Sequence, residues 1–148
     1  MIRIIHPVAG AVAIVTIAIF WFSTALTELL ATQATVTQVK TAIPWGFLLL
    51  VPALMAAGGS GLALAKGRRA GLIGAKVKRM PIIAANGLLV LIPAALFLAF
   101  KARAAEFDTT FYAVQALELA AGAVNITLLV LNMRDGLKMK GWFRRTPA

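Results

Sequence analysis

The chain has 148 residues, of which 61% are hydrophobic and 14% are charged, and its mean hydropathy is +0.89. These values exclude an ordinary soluble domain, so most side chains must be surrounded by lipid or by other apolar helices. The absence of cysteine excludes disulfides, thiolate metal ligands and covalently attached c-type haem.

Four stretches of the chain are long enough to cross a bilayer, which takes about 20 consecutive apolar residues in a helix. They comprise residues 4–30, 42–65, 81–100 and 110–132. Their unbroken apolar runs favour helices over barrel strands, which alternate in short segments. The sequence therefore predicts an all-α membrane protein, a single transmembrane domain over residues 1–148 that forms a four-helix antiparallel bundle of two hairpins.

Basic residues are concentrated in three segments of the chain, and the net charge is +10. They lie at Arg3, in a linker over residues 66–80 and in a tail over residues 133–148. By the positive-inside rule, both termini are predicted to be cytoplasmic (N-in, C-in) in a bacterial inner membrane. Attraction to membrane lipid is a second use of this charge, and nucleic-acid binding is not predicted, because no aromatic-interleaved groove accompanies it.

The first stretch follows Arg3 and has an apolar core longer than the h-region of a signal peptide, so we interpret it as a retained signal anchor. The motif HPVAG opens it with the chain's only histidine, His6. His6, Gly10, Ala13 and Ile17 follow at offsets of 4, 3 and 4 and share one helix face. Two interpretations stay open: a haem ligand, or an interfacial histidine that sets helix depth or hydrogen-bonds to a neighbouring backbone.

Glycines fall in the predicted cytoplasmic half of each span. They are Gly10, Gly58, Gly59, Gly61, Gly87 and Gly122. Close backbone packing is the first interpretation, since small residues are typical of helix contacts in membranes. A flat cavity that admits a planar ligand is the second.

Two asparagines lie at similar depths in neighbouring spans. At about 1.5 Å per residue, Asn86 lies about 8 Å into the third span and Asn125 about 10 Å into the fourth, counted from the cytoplasmic ends. This depth allows an amide pair, direct or through water. Such a pair locks the register of the helices or fixes them around a ligand.

The fourth span carries one stripe of polar and small residues, which is predicted to face other helices. Gln115, Glu118, Gly122, Asn125, Leu129 and Asn132 recur along it at offsets of 3, 4, 3, 4 and 3. Glu118 is the only carboxylate well inside a span, and such a residue is a functional candidate. With Gln115 and the outer Glu28 it predicts a proton or cation path, and a protonated, hydrogen-bonded structural glutamate is the alternative.

In architecture and at HPVAG, the chain resembles small bacterial four-helix membrane proteins of b-type cytochrome character, in which a His-Pro or His-x-x-x-Gly pattern begins a span. The resemblance implies non-covalent haem b with His6 as an axial ligand, and a one-electron transfer or haem-handling role. Within one chain the second ligand would be Met80 or Met133. In a homodimer, two copies of His6 would meet instead.

The remaining parts of this haem site follow from the same residues. The predicted macrocycle would lie against Gly10, Gly58 and Gly59, between helices fixed by Asn86 and Asn125. The predicted partners of its propionates are Arg3, Arg79 and Arg134. A membrane redox complex is the partner expected for this function.

Two functions of other classes also fit the sequence. The first is a proton-conducting, cation-conducting or small-solute membrane protein that uses Glu118. The second is an accessory or assembly subunit of a larger membrane complex, which needs only the small-residue faces and polar stripes. Enzymatic chemistry has the least support, because no nucleophile with its base, second histidine or phosphate-cradling motif is present.

Overall fold

The computed structural model describes residues 1–67 and 70–139, which form four long helices with no strand among them. The helices are α1 (Ile2–Leu30), α2 (Gln33–Ala65), α3 (Gly71–Arg103) and α4 (Thr109–Met139). Each is long and apolar enough to cross a membrane. The all-α, four-helix fold of a multi-pass membrane protein is therefore confirmed. The predicted basic segments also include Arg68, Arg69, Lys140, Arg144 and Arg145, which lie outside the described residues.

The helices are longer than the predicted spans. α2 begins at Gln33 instead of near residue 42, and α3 begins at Gly71, inside the predicted linker 66–80. The 33 residues of α2 measure about 50 Å at about 1.5 Å per residue, whereas the hydrocarbon core of a bilayer is about 30 Å thick. The helices therefore extend beyond their most apolar runs, because helical hydrogen bonds do not depend on hydropathy.

The helices pack in a ring in which each contacts its neighbours in sequence and α4 returns to contact α1. Among the described residues, the diagonal pairs α1/α3 and α2/α4 make no close backbone approach. This is an up-down-up-down bundle with short connections. Its centre is consequently reached by side chains alone.

One end of the bundle holds Met1, the connection after α2 and the end of α4 at Met139, and we call it the basic end. The buried carboxylate of Asp135 lies near this end, where Arg79 donates to it at 2.6 Å and Arg134 approaches it at 3.3 Å. Charge-assisted contacts of this kind join α3 to α4. The connections between α1 and α2 and between α3 and α4 lie at the opposite end.

α3 changes its helical geometry in the middle of the bundle. Between its α-helical parts Gly71–Asn86 and Ile92–Arg103, the segment Gly87–Leu91 is π-helical. Pro93 follows this segment and has no N–H for the carbonyl four residues before it, which favours a departure from α geometry. The first part of α3 packs mainly against α4 and the last part mainly against α2, so α3 exchanges its main partner at the π segment.

Two apolar clusters hold neighbouring helices together. The first joins α1 to α2 through Ala13, Ile17, Leu50 and Ala53. The second joins the outer part of α3 to α2 and α4 through Val36, Leu98, Ala102 and Phe111. Alanine is frequent in both clusters because small side chains let membrane helices approach closely.

Two glycines receive aromatic rings from α1. A Cβ on Gly46 would overlap the Phe20 ring, and a Cβ on Gly122 would stand 2.8 Å from the Trp21 ring. Such short distances require the absence of a side chain. Gly46 and Gly122 therefore serve close packing of α1 against α2 and α4.

Asp108 begins α4 in the connection that follows α3. Its Oδ1 accepts a hydrogen bond from the N–H of Phe111 at 2.9 Å, as an N-cap residue does. The Lys101 ammonium also bonds this carboxylate and, as the main cause, holds the pKa of Asp108 below its usual value. A carboxyl with a lowered pKa stabilises the fold above its unfolded-state pKa, and this contribution is lost as the pH falls through the lowered value.

We expect Asp108→Ala to lower the Tm of the detergent-solubilised protein at neutral pH, because the cap and the ion pair are both lost. Asp108→Asn keeps an acceptor for the Phe111 N–H, so its Tm should lie between those of Asp108→Ala and the parent protein. The Tm differences between the parent protein and the two variants should become smaller as the pH is lowered, because protonation of Asp108 removes its ion pair with Lys101 in the parent protein. A Tm difference that is independent of pH would contradict the role given to Lys101.

Candidate functional site

A cavity of about 400 Å³ lies at the centre of the ring and is lined by all four helices. Its wall is apolar over most of its area and includes the aromatic rings of Phe20, Trp21 and Phe47. Glu118 and Asn125 of α4 place a carboxylate and an amide on this wall. A mostly apolar cavity with few convergent polar groups is the usual form of a small-molecule site.

The cavity opens sideways between α2 and α3. Within the described residues, α2 makes no close approach to the π segment of α3, although both line the cavity. Met55 of α2 and Leu88 of α3 line the cavity, and they are 72% and 60% exposed. Gly59 of α2 also lines the cavity and is exposed. We call this gap the lateral opening. Its rim is apolar at Met55 and Leu88.

A buried ion pair spans the ring next to the cavity. Lys40 of α2 donates to Glu118 of α4 at 2.5 Å, and the two side chains are 1% and 12% exposed. Gln115 donates to the same carboxylate oxygen at 3.4 Å. Glu28 of α1 lies within electrostatic range of Lys40 and Glu118. These residues form what we call the carboxylate cluster, and Glu118 is its member on the cavity wall.

The carboxylate cluster holds more acceptors than the described residues satisfy. Glu28 Oε1 and Gln115 Oε1 are fully shielded from solvent and accept no hydrogen bond from any described residue. Glu118 pairs with the ammonium of Lys40 and Glu28 interacts with it at longer range, so full ionisation of the three groups leaves a net charge of −1. A buried net charge is costly, and a proton on one carboxylate removes it and supplies the missing donor.

Asn86 and Asn125 meet on the basic side of the cavity. Asn86 Nδ2 donates to the Ala121 carbonyl at 2.8 Å and to Asn125 Oδ1 at 3.3 Å. Asn86 is the last residue before the π segment, so this pair ties the first part of α3 to α4. The two amides therefore form the pair that their similar depths in the third and fourth spans predicted. It holds the cavity wall in register.

His6 packs against α2 outside the cavity wall. Its Nδ1 lies 3.0 Å from the Ala57 carbonyl and 3.2 Å from Ser60 Oγ, and a carbonyl accepts only, so Nδ1 carries the proton. A Cβ on Gly61 would stand 3.0 Å from the imidazole and 3.5 Å from the Met80 methyl. The structure therefore brings His6 and Met80 together beside Gly61.

The other residues of the predicted haem site are dispersed. Gly58 and Gly59 line the cavity, whereas Gly10 does not. Met133 is 44% exposed on α4, and Arg3 is exposed on α1. Arg79 and Arg134 contact Asp135, as described above. Neither His6 nor Met80 belongs to the cavity wall, although the Met80 methyl lies 3.8 Å from the position of a Cβ on Gly58, which lines the cavity.

Sequence reasoning missed Lys40, which it left in a connection outside the second span. The signal that reveals it is the helical spacing of the buried residues Val36, Lys40 and Ile43, at offsets of 4 and 3. That spacing places Lys40 on the inner face of α2. Asp135 was missed too, and its spacing of 3 from Asn132 continues the polar stripe of α4.

Comparisons of the chain with family models, with curated proteins and with solved structures found no match. The site is therefore interpreted from its own geometry.

Removing one member of the Lys40–Glu118 pair should destabilise the bundle. We expect Lys40→Met and Glu118→Gln each to lower the free energy of unfolding by about 3–5 kcal/mol, the usual result of breaking a buried ion pair. The double variant removes both charges and should regain most of this loss. The free energies of unfolding of the parent protein, the two single variants and the double variant are compared by thermal unfolding in the same detergent. Losses that simply add in the double variant would contradict a direct pair.

Glu106→Gln serves as the matched control for these variants. Glu106 lies at the same end of the bundle and also pairs with a lysine, Lys101, but its side chain is 54% exposed. Exposed ion pairs contribute little, so its Tm should stay close to that of the parent protein.

Proposed function

We propose that the carboxylate cluster binds and releases a proton, and that the protein conducts protons or couples them to the occupant of its cavity. One observation carries this proposal: the buried ammonium of Lys40 pairs with Glu118 and lies within electrostatic range of a second carboxylate, Glu28, while Glu28 Oε1 and Gln115 Oε1 have no donor among the described residues. Intramembrane carboxylates with a lysine partner are typical of proton relays in pumps and transporters.

The position of Glu118 supports exchange of the proton between two environments. Its carboxylate lines the central cavity and at the same time contacts Lys40. Glu28 lies two residues before the end of α1, towards the end of the bundle opposite the basic end. A proton that moves between Glu28 and Glu118 would pass from that end of the bundle to the cavity. The positive charge of Lys40 would stabilise whichever carboxylate is ionised at the time.

The orientation of this path follows from the charges at the ends of the bundle. The cations at the basic end include Arg3, Lys66, Lys78, Arg134 and Lys138 among the described residues. By the positive-inside rule we assign this end to the cytoplasm of a bacterial inner membrane. The carboxylate cluster then lies near the outer face, and the Asn86–Asn125 pair lies towards the cytoplasm.

Proton flux into proteoliposomes tests the proposal. Vesicles that contain a pH-sensitive dye receive an inside-negative potential from a potassium gradient and valinomycin. We expect the parent protein to acidify the lumen faster than protein-free vesicles, and Glu118→Gln to fall to the protein-free rate. Glu106→Gln removes an exposed carboxylate and should keep the parental rate. An unchanged rate in Glu118→Gln, or no flux in the parent protein, would refute the proposal.

Infrared difference spectroscopy gives an independent readout of the same proton. The carbonyl stretch of a protonated carboxyl should appear as the pH is lowered and should disappear in Glu28→Gln or Glu118→Gln. The residue whose removal abolishes the band is the one that holds the proton. Persistence of the band in both variants would place the proton elsewhere.

Haem b binding at His6 is a second candidate, favoured by the proximity of His6 and Met80 beside Gly61. The hydrogen bond from Nδ1 to the Ala57 carbonyl fixes the orientation of the ring, as a backbone carbonyl often does for a histidine that binds a metal through its other nitrogen. The cavity wall contains neither residue, so the cavity adds no support to haem ligation by His6 and Met80. The carboxylate cluster therefore has the stronger support, and a haem site would need a second copy of the chain at the face that carries His6.

Absorption spectra of the gently solubilised protein, oxidised and then reduced with dithionite, decide this second candidate. A Soret band with sharp reduced bands that are lost in His6→Ala would establish haem b ligation by His6. A featureless spectrum after haem is supplied during expression would leave His6 with its packing role against α2.

A further inference from the structure

We propose that the central cavity takes the head group of a bilayer-soluble para-quinone or its quinol, whose isoprenoid tail leaves through the lateral opening. The inference rests on the proposed function, since it names the molecule that forms a hydrogen bond with Glu118 in the cavity. It is argued from the spacing of the polar wall groups, the aromatic wall between them and the position of the opening.

The polar wall groups are two helical turns apart. Glu118 and Asn125 are separated by seven residues on one face of α4, which places them about 10 Å apart along the helix. One hydroxyl cannot contact both side chains. A flat ring with an oxygen at each of two opposite positions reaches both, with one hydrogen bond of about 2.7–3.0 Å at each end.

The wall between these groups fits a flat ring. Gly122 lies between Glu118 and Asn125, and the Trp21 indole packs directly against it, so the wall between the two polar groups is an aromatic surface. The Trp21 ring is held in place by a hydrogen bond from its Nε1 to the Leu119 carbonyl at 2.8 Å. Phe20 and Phe47 add further aromatic surface. Offset stacking and edge contacts on such rings favour an aromatic or quinonoid head.

The lateral opening fits a long apolar tail. It lies between Gly59 of α2 and Leu88 of the π segment, where the cavity reaches the outside of the bundle. Met55 and Leu88 are exposed there and present apolar surface to the surrounding lipid. A molecule that partitions into hydrocarbon reaches the cavity through this opening without crossing the charged ends.

The charge of the cavity excludes other amphiphiles as well-matched occupants. A cationic head would compete with Lys40 for the Glu118 carboxylate, and an anionic head would be repelled by it. A charged head would also lose its hydration in a largely apolar cavity. A quinol hydroxyl donates to the Glu118 carboxylate, and a quinone carbonyl accepts from the same group when it is protonated. The head and Glu118 thus share one proton.

Fluorescence of Trp21 tests the occupant. Trp45→Phe and Trp142→Phe leave Trp21 as the only tryptophan, and the variant is placed in nanodiscs. Decylubiquinone is titrated as the probe, with decylbenzene as the probe of equal tail that lacks the ring oxygens. We expect saturable quenching by decylubiquinone and an apparent affinity for decylbenzene that is weaker by about tenfold or more.

Two pairs of variants locate the probe in the cavity. Gly59→Phe fills the lateral opening, where a Cβ has open space, and should weaken quenching by about tenfold or more. Gly10→Phe is the matched control, because Gly10 also has open space for a Cβ but lies off the cavity. Lys40→Met combined with Glu118→Leu removes the polar contact without leaving an unpaired charge, and it should also weaken quenching.

The outcomes separate this inference from the proposed function. Equal quenching by decylbenzene, or quenching that does not saturate, would overturn the inference and indicate a lipid chain in the cavity or no bound molecule. Binding and conduction are measured separately in the parent protein, binding by saturable quenching and conduction by proton flux. Saturable quenching without flux in the parent protein would leave the quinone site intact and refute proton conduction.

Discussion

The Lys40–Glu118 ion pair constrains how the four helices pack, because both charges must be kept inside the bundle. Both charges lie on helices that belong to a membrane, and neither can be left facing hydrocarbon without a large cost in solvation. Their helices stand diagonally across the ring and do not touch through their backbones. The two side chains therefore reach across the centre, which fixes how far apart α2 and α4 stand. The space that remains beside the pair is the central cavity.

Much of the fold can be predicted from the sequence because its causes are local. Long apolar runs give the four helices, and the offsets from Gln115 to Asn132 give the inner face of α4. Asn86 and Asn125 lie at similar depths in their predicted spans, and this similarity is enough to predict their contact. The path of α3 is different, because the π segment depends on Pro93 together with the packing of α3 against two different helices.

The site was predicted less completely, for reasons that particular residues show. Glu118, Gln115 and Glu28 were singled out, but their shared partner Lys40 was assigned to a connection because hydropathy falls before residue 42. The glycines were grouped into one layer, whereas packing gives them separate roles. Gly61 receives His6, Gly122 receives Trp21, and Gly59 lines the lateral opening. Contacts between distant parts of the chain decide such roles, and spacing within one helix does not contain them.

Because the cavity opens to the side of the bundle, its occupancy depends on the concentration of the ligand in the bilayer. A pocket that opens to water samples the dissolved amount of a molecule, whereas the lateral opening between α2 and α3 samples the amount in the bilayer. For strongly apolar molecules the second quantity exceeds the first by many fold, because transfer from water to hydrocarbon is favourable at about 25 cal/mol for each Å² of apolar surface. Occupancy would then follow the lipid composition of the membrane, and a modest intrinsic affinity would suffice to keep the cavity filled.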